Sequence, residues 1–272
     1  MKKFPVFLSL ILLFSLTACG GDTPPVENDP EPAVWEPFDY ELLLTVGFSH
    51  ETYAEDGTLV CSCHHEIPKL LPAGELTAAQ QVSVDAFHNA MNRILAGSRL
   101  LYDDLAKVAL EDYDYLAEVG LEWTGYYTDE MTYTAWCGDL AVALDFAGYT
   151  NLGGPHPGVG NVCYLFDLEQ AEMVGFAEIT DDEGEAFRTA VGKEILRQIE
   201  EHGLAEQYYG DYAATAMTQE EVEYAFRGDG LTAYFPNYTL GPYAAGYPSF
   251  EIPAAVYAAT LNTRGQTLLS LA

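Results

Sequence analysis

Two hydrophobic periods alternate along this chain. Leu42–Phe48 and Thr58–His64 alternate apolar and polar positions as half-buried strands do, and Glu55-Asp56-Gly57 between them has the composition of a hairpin turn. From Glu75 to Ala96 the period becomes helical: Val84, Phe87, Met91 and Ile94 fall on one face, with Thr77 as the N-cap. Gly97-Ser98 reads as an interruption, after which a second helical pattern carries Leu101, Leu105 and Val108. Both stripes read as core-facing. Beyond Trp123 the two-residue period returns. Leu140, Val142, Leu144 and Phe146 mark a strand ending at Tyr149, and Val162, Tyr164, Phe166 and Leu168 share a face of the next, with a Gly/Pro-rich turn between Asn151 and Gly158. A third helix from Asp182 to Glu201 aligns Phe187, Val191, Ile195 and Ile199, and Gly203 stops it. Thr218-Gln219-Glu220-Glu221 fits a capping box and predicts a short helix beginning there. Gly228-Asp229-Gly230 then turns the chain into strands at Leu231–Phe235 and Phe250–Ile252. There are no internal repeats and no heptads. This order predicts an α+β fold, a mixed or antiparallel sheet with packed helices, in two subdomains at 38–125 and 126–262 that share a sheet.

The densest pattern lies between the last two strands. Tyr234, Phe235, Tyr238, Tyr243, Tyr247 and Phe250 are punctuated by Pro236, Gly241, Pro242, Gly246, Pro248 and Pro253. Prolines at that density exclude a helix, and so many aromatics argue against disorder. A folded loop remains, its rings either plugging the end of a core or presented for recognition. The fixed φ angles of Pro236 and Pro242 and the amphipathic rings of Tyr238 and Tyr243 make these four the candidate ligand-binding residues. His156, between Pro155 and Pro157, has no nucleophile or acid at recognisable spacing and reads as a structural turn residue rather than a base; its turn, Gly153 to Gly158, is a candidate second wall for the ligand, although the sequence alone does not bring the two loops together.

The N-terminus sets an address. Lys2-Lys3, an apolar run from Phe4 to Leu16, and Leu16-Thr17-Ala18-Cys19 have the form of a bacterial lipoprotein signal at 1–18, with Cys19 as the lipid-anchored residue. Residues 19–37, rich in proline and acids, read as a flexible tether. The expected location is the bacterial cell surface, on the outer face of the cell membrane, with the membrane touched through the lipid alone. The formal net charge is −31, and −33 once Lys2 and Lys3 leave with the leader. Such an excess repels nucleic acid and anionic lipid and attracts cationic partners.

Enzyme signatures are absent from the sequence: no His-Glu-x-x-His, no Gly-x-Ser-x-Gly, no Ser-x-x-Lys and no phosphate loop. No cofactor is expected. Cys61, Cys63, Cys137 and Cys163 form an even set in an exported chain, which favours disulfides with three connectivities open. Cys61 and Cys63 share a strand face, so a bond between them would be strained. A metal site at Cys61-Ser-Cys63-His64-His65 is the competing reading, weakened because alternation puts His64 on the opposite face. Cys137 and Cys163 are expected to be oxidised.

Two stretches together resemble a known family. Asn151-Leu152-Gly153-Gly154-Pro155-His156-Pro157, running on to Asn161-Val162-Cys163-Tyr164-Leu165-Phe166-Asp167, resembles its Gly-Gly-x-His turn and following strand. Gly230-Leu231, Tyr234-Phe235, Pro242-Tyr243-Ala244-Ala245-Gly246 and Ile252-Pro253 resemble its C-terminal signature. The family is the extracellular domain of RsiV-type anti-sigma factors, shared with the non-catalytic N-terminal region of PdaC-type peptidoglycan deacetylases; the likeness spans roughly Phe38 to Thr260. It implies an α+β fold and a binding role, which in the anti-sigma branch is capture of lysozyme. The chain departs from that branch in having no transmembrane helix, and from the deacetylases in having no catalytic domain after Thr260. The expectation is therefore a stand-alone, non-catalytic surface lipoprotein that binds a cationic protein such as lysozyme. The alternative is a cell-wall accessory module that holds peptidoglycan or another glycan.

Overall fold

The computed structural model describes residues 35–271. The signal peptide expected at 1–18, Cys19 and the expected tether up to residue 34 lie outside the described residues. Trp35 and Glu36, inside the stretch expected to be tether, are fastened down: the Trp35 indole donates to Ser83 Oγ at 3.0 Å and Gln80 donates to the Glu36 carbonyl at 2.9 Å.

The chain is α+β. A hairpin of two long strands, β1 (Tyr40–Tyr53) and β2 (Leu59–Pro72), opens it, and Gly57 turns it at φ 87°. The helix α1 (Ala78–Glu118) follows, then β3 (Tyr127–Cys137), β4 (Ala141–Asn151), β5 (Gly158–Asp167) and β6 (Glu172–Val174). These strands form a six-stranded sheet in sequence order, antiparallel except where β2 meets β3. A parallel pair needs a crossover, and α1 is that crossover. The second half adds α2 (Glu185–Glu201), α3 (Tyr212–Thr218), a three-stranded antiparallel sheet of β7 (Glu223–Arg227), β8 (Gly230–Tyr234) and β9 (Ser249–Pro253), and two short C-terminal helices, α4 (Ala254–Tyr257) and α5 (Thr263–Leu268).

Strand β4 explains the layering. Residues 141–146 are buried on both faces, so alternate side chains feed two different cores. Val142, Leu144 and Phe146 pack with Phe87 and Met91 of α1. Ala141 and Ala143 pack on the other side with Phe187, Val191 and Ile195 of α2 and with Leu231 and Ile252 of the small sheet. The order across the molecule is α1, large sheet, small sheet with α2.

The expected helix face of α2 is the observed one: Phe187, Val191, Ile195 and Ile199 are all buried. Thr77 caps α1 with a reciprocal box to Gln80. Three expectations are corrected. Gly97-Ser98 does not break α1, because one glycine costs about 1 kcal/mol in a helix and the packing on either side of it outweighs that. Leu101 and Val108 do not face the core; they are 64% and 46% exposed, and Tyr102, Ala106 and Ala109 take the buried positions. Thr218 ends a helix instead of starting one. Gln219 adopts the left-handed conformation at φ 50°, and its buried side chain donates to the Arg188 and Ala216 carbonyls and accepts from the Tyr224 hydroxyl. The bond to Arg188 ties Gln219 to α2, the helix stops there, and β7 follows. Strands β3 and β6 were not anticipated.

All four described cysteines are free thiols. The registers put Cys137 opposite Val142 and Phe166, whereas Cys163 lies opposite Asp145 and Thr134, so the two are separated by two ladders and three residues. At strand spacings of about 4.8 Å and rises of about 3.3 Å per residue, that is roughly 14 Å, twice the reach of a disulfide. Cys137 and Cys163 therefore do not bond to each other in this fold. Cys61 and Cys63 face α1 from one strand, and His64 lies exposed on the other face, as alternation requires.

Candidate functional site

The turn between β4 and β5 belongs to the large sheet, and the loop between β8 and β9 to the small one. They meet. The His156 ring lies 4.2 Å from that of Tyr243, whose hydroxyl donates to the Pro157 carbonyl at 3.3 Å. Tyr238 stands 6.0 Å from Tyr243, and Asn237 reaches the Val159 carbonyl at 3.5 Å. The turn is closed by Gly153 at φ 72°, whose N–H donates to the Asn151 side chain at 3.0 Å. The sequence-selected residues Tyr238, Tyr243 and His156 thus form one cluster, with Pro236 and Pro242 in the same loop. Tyr238 is 55% exposed and holds a left-handed backbone at φ 68°, uncommon for a bulky residue and indicative of a conformation imposed by its surroundings.

The other rings of this stretch divide by depth. Phe235 and Phe250 meet edge-to-face at 5.9 Å in the core. Tyr234 and Tyr247 stack at 5.9 Å, and both point their hydroxyls into the seam between the sheets. So the stretch is core plug and surface platform at once.

The seam holds a polar network that pattern reading missed. Asp145 Oδ1 accepts from Asn161 Nδ2 at 2.5 Å, Asp145 Oδ2 accepts from the Tyr234 hydroxyl at 2.8 Å, and the Cys163 thiol approaches Oδ1 at 3.8 Å. The Tyr247 hydroxyl accepts from the Asn161 N–H at 2.9 Å, and Glu223 accepts from the Cys163 N–H at 2.9 Å. The available signal was Asp145 itself, a lone charge inside the apolar run Ala141 to Phe146. Burial raises the Cys163 thiol well above its ordinary value and moves the Tyr247 phenol up to about 12, so neither ionises near neutrality. A cleft of about 680 Å³ opens beside the network, lined by Trp136, Asp145, Arg227 and Asp229 among others.

Glu223 offers a pH test. Burial, reinforced by the Asp145 charge, raises its carboxyl above the ordinary value of 4.5. The folded state then holds that proton more tightly than the unfolded chain does, so stability falls as pH rises through the window above 4.5. Glu223→Gln keeps an acceptor for the Cys163 N–H and removes the titration. The melting temperature of the variant should gain on that of the parent as pH goes from about 4 to 7. A constant difference across that range would show that Glu223 does not contribute.

A second polar pair joins buried His65 to half-buried Asp129 at 2.8 Å. Thr150 also donates to Asp129, at 3.0 Å. The neighbouring thiols Cys61 and Cys63 are pushed up to about 11 by burial, which removes nucleophilic character at neutral pH. Among the described residues no group of three His, Cys, Asp or Glu side chains has the geometry of a metal site.

Residues 178–255 match a family profile described as "Protein of unknown function (DUF3298)". The match covers 78 of the 272 residues. The matched segment contains α2, the small sheet and the Tyr238–Tyr243 loop, while the His156 turn lies outside it. A crystal structure of a DUF3298 member from Bacteroides fragilis NCTC 9343 superposes with a TM-score of 0.60 at 11% identity, over 86% of this chain and 96% of that one. A DUF3298 protein from Pseudomonas aeruginosa PAO1 superposes with a TM-score of 0.53 at 15% identity, over 84% and 96%. At these identities the likeness is one of fold, and it extends well beyond the matched segment into the large sheet. No curated protein sequence matches the chain.

Proposed function

We propose that the chain is a non-catalytic binding protein of the bacterial cell surface, lipid-anchored through Cys19, and that it captures a cationic protein such as lysozyme on the His156–Tyr243–Tyr238 platform. The observation that carries this reading is the junction of two loops from different sheets into an exposed aromatic surface. Such a surface loses little conformational entropy on binding, because Pro236 and Pro242 fix φ and Tyr243 is already bonded to the opposite loop. The formal charge of −31 supports a cationic ligand by steering it over a Debye length. The resemblance to the extracellular domain of RsiV-type anti-sigma factors, carried by the same two loops, names lysozyme as the first ligand to try.

Calorimetric titration of the full chain with lysozyme tests it. Tyr238→Ala is expected to weaken binding by about 2 kcal/mol, the scale of an interfacial aromatic anchor, while the melting temperature stays within about 1–2 °C because the ring is more than half exposed. Binding should also weaken steeply with salt. Unchanged affinity for Tyr238→Ala and for Tyr243→Ala would remove the platform from the reading. Binding of soluble wall glycan instead, insensitive to salt but lost in the same variants, would replace the protein ligand with a sugar stacked on the rings.

A further inference from the structure

The outer face of α1 carries a second ordered surface, made of residues the platform does not use. Leu101, Val108 and Tyr115 are 64%, 46% and 60% exposed and recur every seven residues. Residues seven apart on a helix lie two turns apart on nearly one line, so the three rise as a row over about 21 Å. Val119, 48% exposed, extends that row at the helix end. Isolated exposed leucines are ordinary on a protein surface; a row of apolar residues aligned along one helix is an ordered stripe that a partner can cover.

A second row has the same spacing. Asp104, Glu111 and Glu118 each follow a member of the apolar row by three residues, so they line one side of it. Lys107 reaches Glu111 at 4.0 Å in an exposed pair that water and salt screen, leaving the row acidic. On the opposite side the helix turns into its own core through Tyr102, Ala106 and Ala109. The seam therefore has one open flank, and that flank is anionic.

This arrangement selects among occupants. A second copy of the chain would set acid row against acid row, with the whole-chain charge of −31 adding to the repulsion. An anionic membrane surface meets the same objection. We propose that the face of α1 from Leu101 to Val119 docks an amphipathic helix of a partner protein whose apolar stripe is flanked by lysine or arginine. The apolar row seats the stripe and the acid row sets orientation and partner choice, as flanking charges do in coiled coils.

The test uses the full-length chain and two synthetic helical peptides of about three heptads with leucine at the a and d positions. One carries lysine at the e and g positions and the other carries glutamate. The lysine peptide should bind and the glutamate peptide should not. Leu101→Glu with Val108→Glu should reduce affinity for the lysine peptide at least about tenfold, without unfolding the protein, since both side chains are exposed. Val82→Glu should leave binding unchanged, because Val82, 59% exposed on the same helix, lies about five turns before Leu101 and outside the docking face. Changing Asp104, Glu111 and Glu118 together to lysine should transfer the preference to the glutamate peptide. The proposal is overturned if neither peptide binds, if both bind alike, or if Leu101→Glu/Val108→Glu leaves the lysine peptide's affinity intact. Sedimentation showing a dimer that Leu101→Glu/Val108→Glu dissociates would assign the face to a second copy instead.

Discussion

Replacing Phe187 by alanine is expected to lower the unfolding free energy by about 3–5 kcal/mol. Phe187 is fully buried on α2 and lies within 5.3 Å, ring to ring, of Phe176, Tyr224 and Tyr257. It joins the helix to β7 and to α4 at one point. Deleting the ring removes its transfer free energy and leaves a cavity that aromatic neighbours, themselves wedged edge-to-face, cannot collapse to fill. Urea denaturation at 25 °C, followed by tryptophan fluorescence and far-ultraviolet dichroism, measures it. A loss below about 1 kcal/mol would mean that the small sheet and α2 do not depend on this junction. Because α2 and the small sheet pack in one core and the small sheet carries the Tyr238–Tyr243 loop, any ligand capture should decline in parallel with the folded fraction.

Asp145→Ala should cost about 2–4 kcal/mol for a different reason. The carboxylate is the common acceptor for Asn161 and Tyr234, so its removal strands two donors in the seam between the sheets. Each buried, unpartnered donor costs about 1–3 kcal/mol. Part of the loss is offset, because the Asp145 charge is one of the factors that raises the Glu223 carboxyl, and without it Glu223 ionises more readily. Tyr234→Phe, which deletes one donor and its bond together, should cost only about 1 kcal/mol. In the double variant the two changes should be non-additive by more than about 0.5 kcal/mol. Strict additivity would show that Asp145 and Tyr234 do not share a network. Asn161 also donates its N–H to Tyr247 at the base of the aromatic loop, so Asp145→Ala should further loosen the platform.

Fold class and the main elements were legible because they rest on local periodicity. The helix face through Phe187, Val191, Ile195 and Ile199 is read from spacing alone, as is the assignment of His64 to the face opposite Cys61 and Cys63. The failures all occur where distant contacts overrule a local signal. Leu101 and Val108 have helical spacing equal to that of core residues, yet spacing says only that they share a face, not that anything covers it. Thr218-Gln219-Glu220-Glu221 has the composition of a helix start, but Gln219 is claimed by Arg188 and Tyr224 from other elements. The cysteine count suggested cross-links, and the strand registers place one candidate pair, Cys137 and Cys163, beyond bonding distance.

The sequence by itself singled out the residues now proposed to recognise a ligand: the rings of Tyr238 and Tyr243, the prolines that stiffen their loop, and His156 in its own turn. It could do so because conformational restriction and amphipathic chemistry are properties of residue types. What only the tertiary structure decided is that these residues meet. The His156 turn and the Tyr243 loop are separated by more than eighty residues and belong to different sheets, and they converge because alternate side chains of β4 feed two cores, laying the small sheet across the large one. The same stacking buries Asp145 and leaves the outer face of α1 uncovered. Burial depends on what the rest of the chain places overhead, and no local period encodes that.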